Sequence, residues 1–186
     1  ELEEGRSYRL VITTESGLFR YDLRDRVEVV AYCGRTPVIR FVGKSGRFLN
    51  ALGEKVSEEQ VSSSVQQASE ATAFYPVGFT ARILLSDTPR IELAVEGDPP
   101  PGFIEAFESA LIRSNIEYAG KRTSGRLRPA VLKTLPPGTY ARYRRGRALE
   151  GAPEGQIKDP VMALDASEWE RIQLAQGNEG FAPASP

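Results

Sequence analysis

The 186-residue sequence contains no histidine. Any general base, activated nucleophile or metal site must therefore do without imidazole, which excludes Ser-His-Asp and Cys-His hydrolase chemistry and most zinc sites. A single cysteine, Cys33, rules out an intramolecular disulfide framework and suits a reducing compartment. No segment approaches the roughly 18 consecutive apolar residues of a membrane span, and no signal peptide is visible. With a formal net charge of −1 there is no bulk attraction to nucleic acid or to an anionic membrane. These absences together read as a cytoplasmic protein whose partners are neither nucleic acid nor membrane. An initiator methionine is also lacking: the chain opens on Glu1, just before a β-rich run, and is expected to be a cut inside a larger protein.

What is present is a 40% hydrophobic composition, enough for a real core. Residues 7–14 (SYRLVITT), 26–33 (RVEVVAYC) and 37–43 (PVIRFVG) are β-branched runs, the first two flanking a charged loop. A small, polar connector follows, KSGRFLNALGEK. From Ser57 the pattern turns helical: SEEQ is a capping box, and Val61, Val65 and Ala68 form one apolar stripe. VGFTARILL and RIELAVEG, joined by SDTP, predict a hairpin. A second helix is expected to bury Phe103, Ile104, Phe107 and Leu111, followed by a strand over 128–135 and a short helix from about Thr139. DASE, with Asp165 as N-cap and Glu168 matching it, starts a last helix. The fold class is α+β: a β-rich piece over 1–44, a compact α+β unit over 45–176 and a disordered tail over 177–186.

Four groups of residues carry potential chemistry. Asp25, in the stretch GLFRYDLRDRVEVV, is either a solvated turn carboxylate paired with Arg24 or Arg26, or a carboxylate that accepts the vicinal hydroxyls of a ribose. KSGRFLNALGEK is either a surface loop or a glycine hinge whose cations face phosphates; the Gly-x4-Gly-Lys-Ser/Thr spacing of a P-loop is absent. Lys158 in GQIKDP is either solvent-facing or placed to stabilise charge in a transition state. Between Lys121 and Arg147 stand nine Lys or Arg and no acid, with Tyr118 just ahead of the run and Tyr140 and Tyr143 interleaved. That run is a solvated face, a docking surface for an acidic domain or a nucleic-acid patch.

Taken in order, these segments resemble the auxin-responsive promoter family of acyl acid amido synthetases. In that family a strand ending in Thr-Thr leads to Gly-Leu-Tyr-Arg-Tyr-Arg-x-Gly-Asp, then Pro-x-x-x-Phe and a Lys-x-x-Glu helix start. Thr13, Thr14, Gly17, Leu18, Arg20, Tyr21, Asp25, Pro37, Phe41, Lys55 and Glu58 fall in register with it. NIEYAGKR, LKTLPPGTYARYRR and GQIKDP are similar to its closing segments. The resemblance runs from about Arg9 to Met162 and implies an adenylate-forming enzyme. Such an enzyme takes a carboxylic acid and Mg-ATP to an acyl-adenylate and pyrophosphate; an amine, usually an amino acid, then yields the amide and AMP.

By that resemblance residues 1–44 are the C-terminal edge of the large domain and 45–176 the small mobile domain. Asp25 is expected to bind the ribose of ATP, Tyr21 to lie by the nucleotide and Lys55 to face its phosphates. Lys44, Ser45 and Gly46 are expected to form the hinge, and Lys158 is the expected catalytic lysine. No metal ligand is expected in this chain. The large N-terminal domain would be its partner, and without it the chain is expected to be inactive. Three positions depart from the pattern: Arg24 stands where the family keeps glycine, Asp159 follows the lysine, and Val161 replaces an arginine. A phenylacetate-CoA ligase-like enzyme and a non-catalytic binding or regulatory module of the same fold are the alternatives.

Overall fold

The computed structural model describes residues 2–44 and 47–177; Ser45 and Gly46, expected in the hinge, and the tail beyond 177 lie outside the described residues. The chain divides into two compact units, residues 1–48 with 57–59, and 49–56 with 60–186.

The first unit is built on a three-stranded antiparallel sheet in the order β1-β2-β3: β1 (Ser7–Ile12), β2 (Tyr21–Cys33) and β3 (Thr36–Lys44). The β1–β2 connection is tied by its own threonines. The Thr13 hydroxyl accepts the amide of Arg20 at 3.1 Å, and Thr14 N and O bond Leu18 O and Gly17 N. Gly17 takes φ 105°, a conformation that a side chain resists. The sequence pattern placed the charges of GLFRYDLRDRVEVV in a loop before a strand at Arg26. In the structure all of them but Arg20 lie on β2 itself, which begins at Tyr21. The reason is that a narrow ribbon leaves much of its side-chain surface in water, so charges do not oppose strand formation.

Phe48–Leu49 (β4) and Val56–Ser57 (β5) pair as a short ribbon ahead of α1 (Glu58–Thr72). The helix starts directly after Ser57, where the capping signature put it, and buries Val61, Val65 and Ala68. The predicted hairpin is β6 (Phe79–Leu84) with β7 (Arg90–Glu96), in register from Phe79↔Val95 to Leu84↔Arg90. The chain then crosses over through α2 (Phe103–Ser114) and α3 (Ile116–Thr123) to β8 (Val131–Leu135), which pairs parallel to β7. Phe103, Phe107 and Leu111 of α2 are buried against Ile91, Leu93 and Val95 of the sheet and the apolar stripe of α1; Ile104 is half-buried. α3 was not anticipated, although Asn115 caps it, accepting Tyr118 N at 2.8 Å.

After β8 come α4 (Thr139–Leu149), a 3-10 turn (Glu154–Gln156) and α5 (Ala166–Leu174). A smaller cluster of Ala94, Leu135, Tyr140, Ala163, Trp169 and Ile172 joins α4 and α5 to the sheet. Arg82 and Lys133 stand 3.9 and 4.9 Å from the Trp169 ring centroid, a cationic seat for the indole.

The last helix starts as its sequence foretold. Asp165 Oδ1 accepts Glu168 N at 2.9 Å, while the Glu168 carboxylate reaches back to Leu164 N at 2.7 Å. The bond from the Glu168 amide, with one from the Ser167 hydroxyl, holds the Asp165 carboxyl below its usual range. Asp165→Ala is expected to lower the melting temperature by about 2–4 °C at neutral pH. Because the folded-state pKa is depressed, the wild-type advantage is present above about pH 4 and fades as pH falls through the folded value. Thermal melts of both proteins across pH 3–7 check this; equal melting temperatures at pH 7 would remove the cap.

Candidate functional site

In the first unit the site residues gather on β2. Tyr21 opens the strand opposite Ile12 and is 52% exposed; Phe19, just before it, is 80% exposed. The β1–β2 register shifts between Arg9 and Val11, with Arg9 opposite Arg26 and Val11 opposite Asp22. Asp25 lies inside that irregular stretch, and a second shift separates Arg26 from Val27 on the β3 side. Bulges of this kind re-aim side chains.

The two aspartates on this strand have different surroundings. Asp22 binds Arg9 across the ribbon through Arg9 Nε at 3.0 Å and a second guanidinium contact, and this raises the pKa of Arg9. Asp25 Oδ1 is buried and has no hydrogen-bond partner among the described residues. A carboxylate oxygen removed from water without a partner is unfavourable for folding, so structure alone leaves this position unexplained. The backbone of Asp25 pairs with Lys44 at the end of β3. The ribbon thus brings Tyr21, Asp25 and Lys44 onto two adjacent strands.

In the second unit Lys55 ends a loop that is fixed before any ligand arrives. The buried Glu54 carboxylate accepts Ala51 N at 2.6 Å and Leu52 N at 2.8 Å, and Asn50 Oδ1 accepts Gly53 N at 2.7 Å. Asn115 Nδ2 donates to Glu54 O at 3.0 Å, anchoring the loop to the start of α3. Lys55 itself has φ 44°, a left-handed conformation that lysine adopts only under constraint, and its side chain is exposed. The sequence reading did not foresee Glu54, whose role depends on amides two and three residues before it.

Lys158 is exposed on an irregular segment between the 3-10 turn and α5. That segment is bound to β6: Thr80 Oγ1 donates to Pro160 O at 2.6 Å, and Ala81 N donates to Val161 O at 2.9 Å. Ala81 O in turn accepts Ala163 N at 2.9 Å, so Ala81 and Met162 form a parallel bridge. Asp159, the chain neighbour of Lys158, receives Arg144 Nη1 of α4 at 2.5 Å. Burial pushes its carboxyl above the usual range, with Arg144 opposing.

The basic run over 121–147 is largely consumed inside the unit. Lys121 pairs with Glu117, Arg122 with Glu108, Arg144 with Asp159 and Arg147 with Glu150, while Arg142 Nε donates to Ala175 O at 2.6 Å. Among the described residues no cluster of three or more His, Cys, Asp or Glu could hold a metal ion, and no helix is long and apolar enough to cross a membrane.

Comparison with known proteins agrees with the order of these parts. Residues 1–44 match the GH3 family central domain and residues 59–167 the GH3 family C-terminal domain. Among relatives, indole-3-acetic acid-amido synthetase GH3.3 of Arabidopsis thaliana is 35% identical over 199 residues, covering 100% of this chain and 33% of that protein. The probable indole-3-acetic acid-amido synthetase GH3.2 of Oryza sativa subsp. japonica is 27% identical over 204 residues, again covering 100% of this chain and 33% of the relative. The chain therefore spans about a third of the length of these relatives. Among solved structures, the GH3.15 acyl acid amido synthetase superposes with a TM-score of 0.80 at 20% identity, over 94% of this chain and 35% of that one. The mixed α+β fold is the one found in the matching part of that synthetase. With two domain matches in the family's order and relatives that are acid-amido synthetases, the chain belongs to the GH3 family.

Proposed function

We propose that this chain is the C-terminal portion of an ATP-dependent ligase that adenylates a carboxylic acid and then joins it to an amino acid or another amine. The observation that carries the reading is the buried, unpartnered Oδ1 of Asp25 on the segment that matches the family's central domain. A carboxylate held ready to accept hydroxyl protons suits the vicinal diol of a ribose. In this reading Tyr21 lines the nucleotide beside Asp25, and Lys44 with Ser45 and Gly46 is the hinge. Lys55 and Lys158 present ammonium groups to the phosphates, and Lys158 stabilises the negative charge that grows at the α-phosphorus. Magnesium would enter with the nucleotide, and no ligand for it is expected in this chain. Positioning and fixed charge carry such chemistry without imidazole.

Acyl selection and the phosphate loop belong to the large domain, so the chain alone is inactive and works as part of a longer cytoplasmic protein. The test is ATP–pyrophosphate exchange by the complete enzyme against a panel of carboxylic acids. Exchange that depends on an acid, with amide and AMP formed once an amino acid is added, is the expected result. Exchange followed by a thioester with coenzyme A instead would favour the acyl-CoA ligase alternative, and no exchange with any acid would favour a non-catalytic module.

A further inference from the structure

Lys55 is a lysine at a place where the backbone favours glycine. Its φ of 44° lies in the left-handed region, which strains an ordinary side chain and leaves glycine unstrained. Gly53, two residues earlier, meets a similar demand in the usual way, with φ 97°. Side chains persist in such conformations only where their surroundings over-determine them.

The surroundings of Lys55 act from both sides. Before it, Glu54 is 1% exposed and its side chain turns back over its own loop, the two carboxylate oxygens accepting Ala51 N and Leu52 N. The Glu54 carbonyl accepts Asn115 Nδ2 at 3.0 Å, and the same Nδ2 donates to Gln60 Oε1 at 3.1 Å. Asn115 is itself fixed, since its Oδ1 caps α3. After Lys55, Val56 is fully buried in the core with Val61 and Leu111. Lys55 is therefore an exposed residue between two buried neighbours. The direction in which its side chain leaves the backbone is set by the loop and not by a ligand.

We propose that Glu54 is a positioning residue for Lys55: its buried carboxylate closes the loop so that the lysine leaves the backbone in one direction before a nucleotide arrives. The proposal rests on the reading of Lys55 as a phosphate-facing group. A loop closed in advance spares the bound state an ordering cost, and Glu54 itself touches no substrate.

The test separates this role from plain stabilisation. In the complete enzyme, acid-dependent exchange is measured at varied ATP and at varied carboxylic acid. Glu54→Gln keeps one acceptor and places a donor against the other amide. It is expected to raise the KM for ATP about five- to tenfold and to leave the KM for the acid unmoved. In a Lys55→Ala background the same substitution should add less than about twofold, because Glu54 acts only through an ammonium that is already gone. Asn115→Asp keeps the α3 cap and loses the donor to Glu54 O. It should follow the same pattern with a smaller shift, and it carries the test should Glu54→Gln fold poorly. In this chain Lys55→Gly should melt about 2–4 °C above Lys55→Ala, since glycine relieves the left-handed strain. Equal rises in the KM for ATP with and without Lys55, equal losses for ATP and acid, or equal melting of the two Lys55 variants would overturn the proposal. Failure of the underlying reading shows up separately, as a KM for ATP unmoved by Lys55→Ala alone.

Discussion

Lys158→Ala in the complete enzyme is expected to cut acid-dependent ATP–pyrophosphate exchange by about a hundredfold or more. Attack of a carboxylate on the α-phosphorus gathers negative charge on oxygens that were already anionic. An ammonium fixed beside them stabilises the transition state more than the ground state, which is the condition for raising the rate. The lysine can be fixed in this way although its segment is neither helix nor strand, because Thr80 and Ala81 of β6 bind the backbone on the C-terminal side. The effect should fall on kcat, with the affinity for the carboxylic acid little changed. Amide formation from a supplied acyl-adenylate should lose much less, since there the amine attacks the acyl carbon and the α-phosphorus gains no fifth ligand. Unaltered exchange in the variant would remove Lys158 from the chemistry, whatever the activity of the protein as a whole.

Asp25→Ala should act on ATP, weakening its binding by roughly 1–3 kcal/mol, or about five- to 150-fold. The same substitution in this chain should leave the melting temperature unchanged or slightly raised. The reason is the orphaned Oδ1: its removal deletes a desolvated oxygen that makes no hydrogen bond among the described residues. A residue whose loss harms ligand binding and not folding is kept for the ligand. Deoxynucleotides sharpen the assignment. Wild-type enzyme should bind 2′-deoxy-ATP or 3′-deoxy-ATP more weakly than ATP, and Asp25→Ala should lose most of that discrimination, as a double-mutant cycle requires of directly interacting groups. Equal discrimination in both proteins would place the ribose elsewhere.

Much of the fold could be read from local signals because those signals are local in the structure too. The Asp165 cap, the start of α1 after Ser57 and the β6–β7 hairpin each depend on residues no more than sixteen positions apart. β2 was harder. Its charges resemble a turn, and only pairing with β1 and β3 on either side makes them strand. α3 carries a cap at Asn115, but eight residues with few apolar positions hold little periodicity. At the candidate site, Asp25, Lys55 and Lys158 could be nominated from their order along the chain, whereas the side chains that support them could not. Thr80 lies eighty residues from Pro160. The bulge that carries Asp25 has no local signature, because it arises from pairing.

The bridge between Ala81 and Met162 has a bearing on solubility. β6 is an edge strand of its sheet, and an uncovered edge offers unpaired amides and carbonyls to the strands of other molecules. The segment that follows Lys158 occupies part of that edge, taking the amide and the carbonyl of Ala81 for itself. The stretch that follows the proposed catalytic lysine therefore also serves as a guard against self-association. Substitutions at Val161, Met162 or Ala163 are answerable to both demands, so the sequence there is freer to change in ways that keep the backbone pairing than in ways that loosen it.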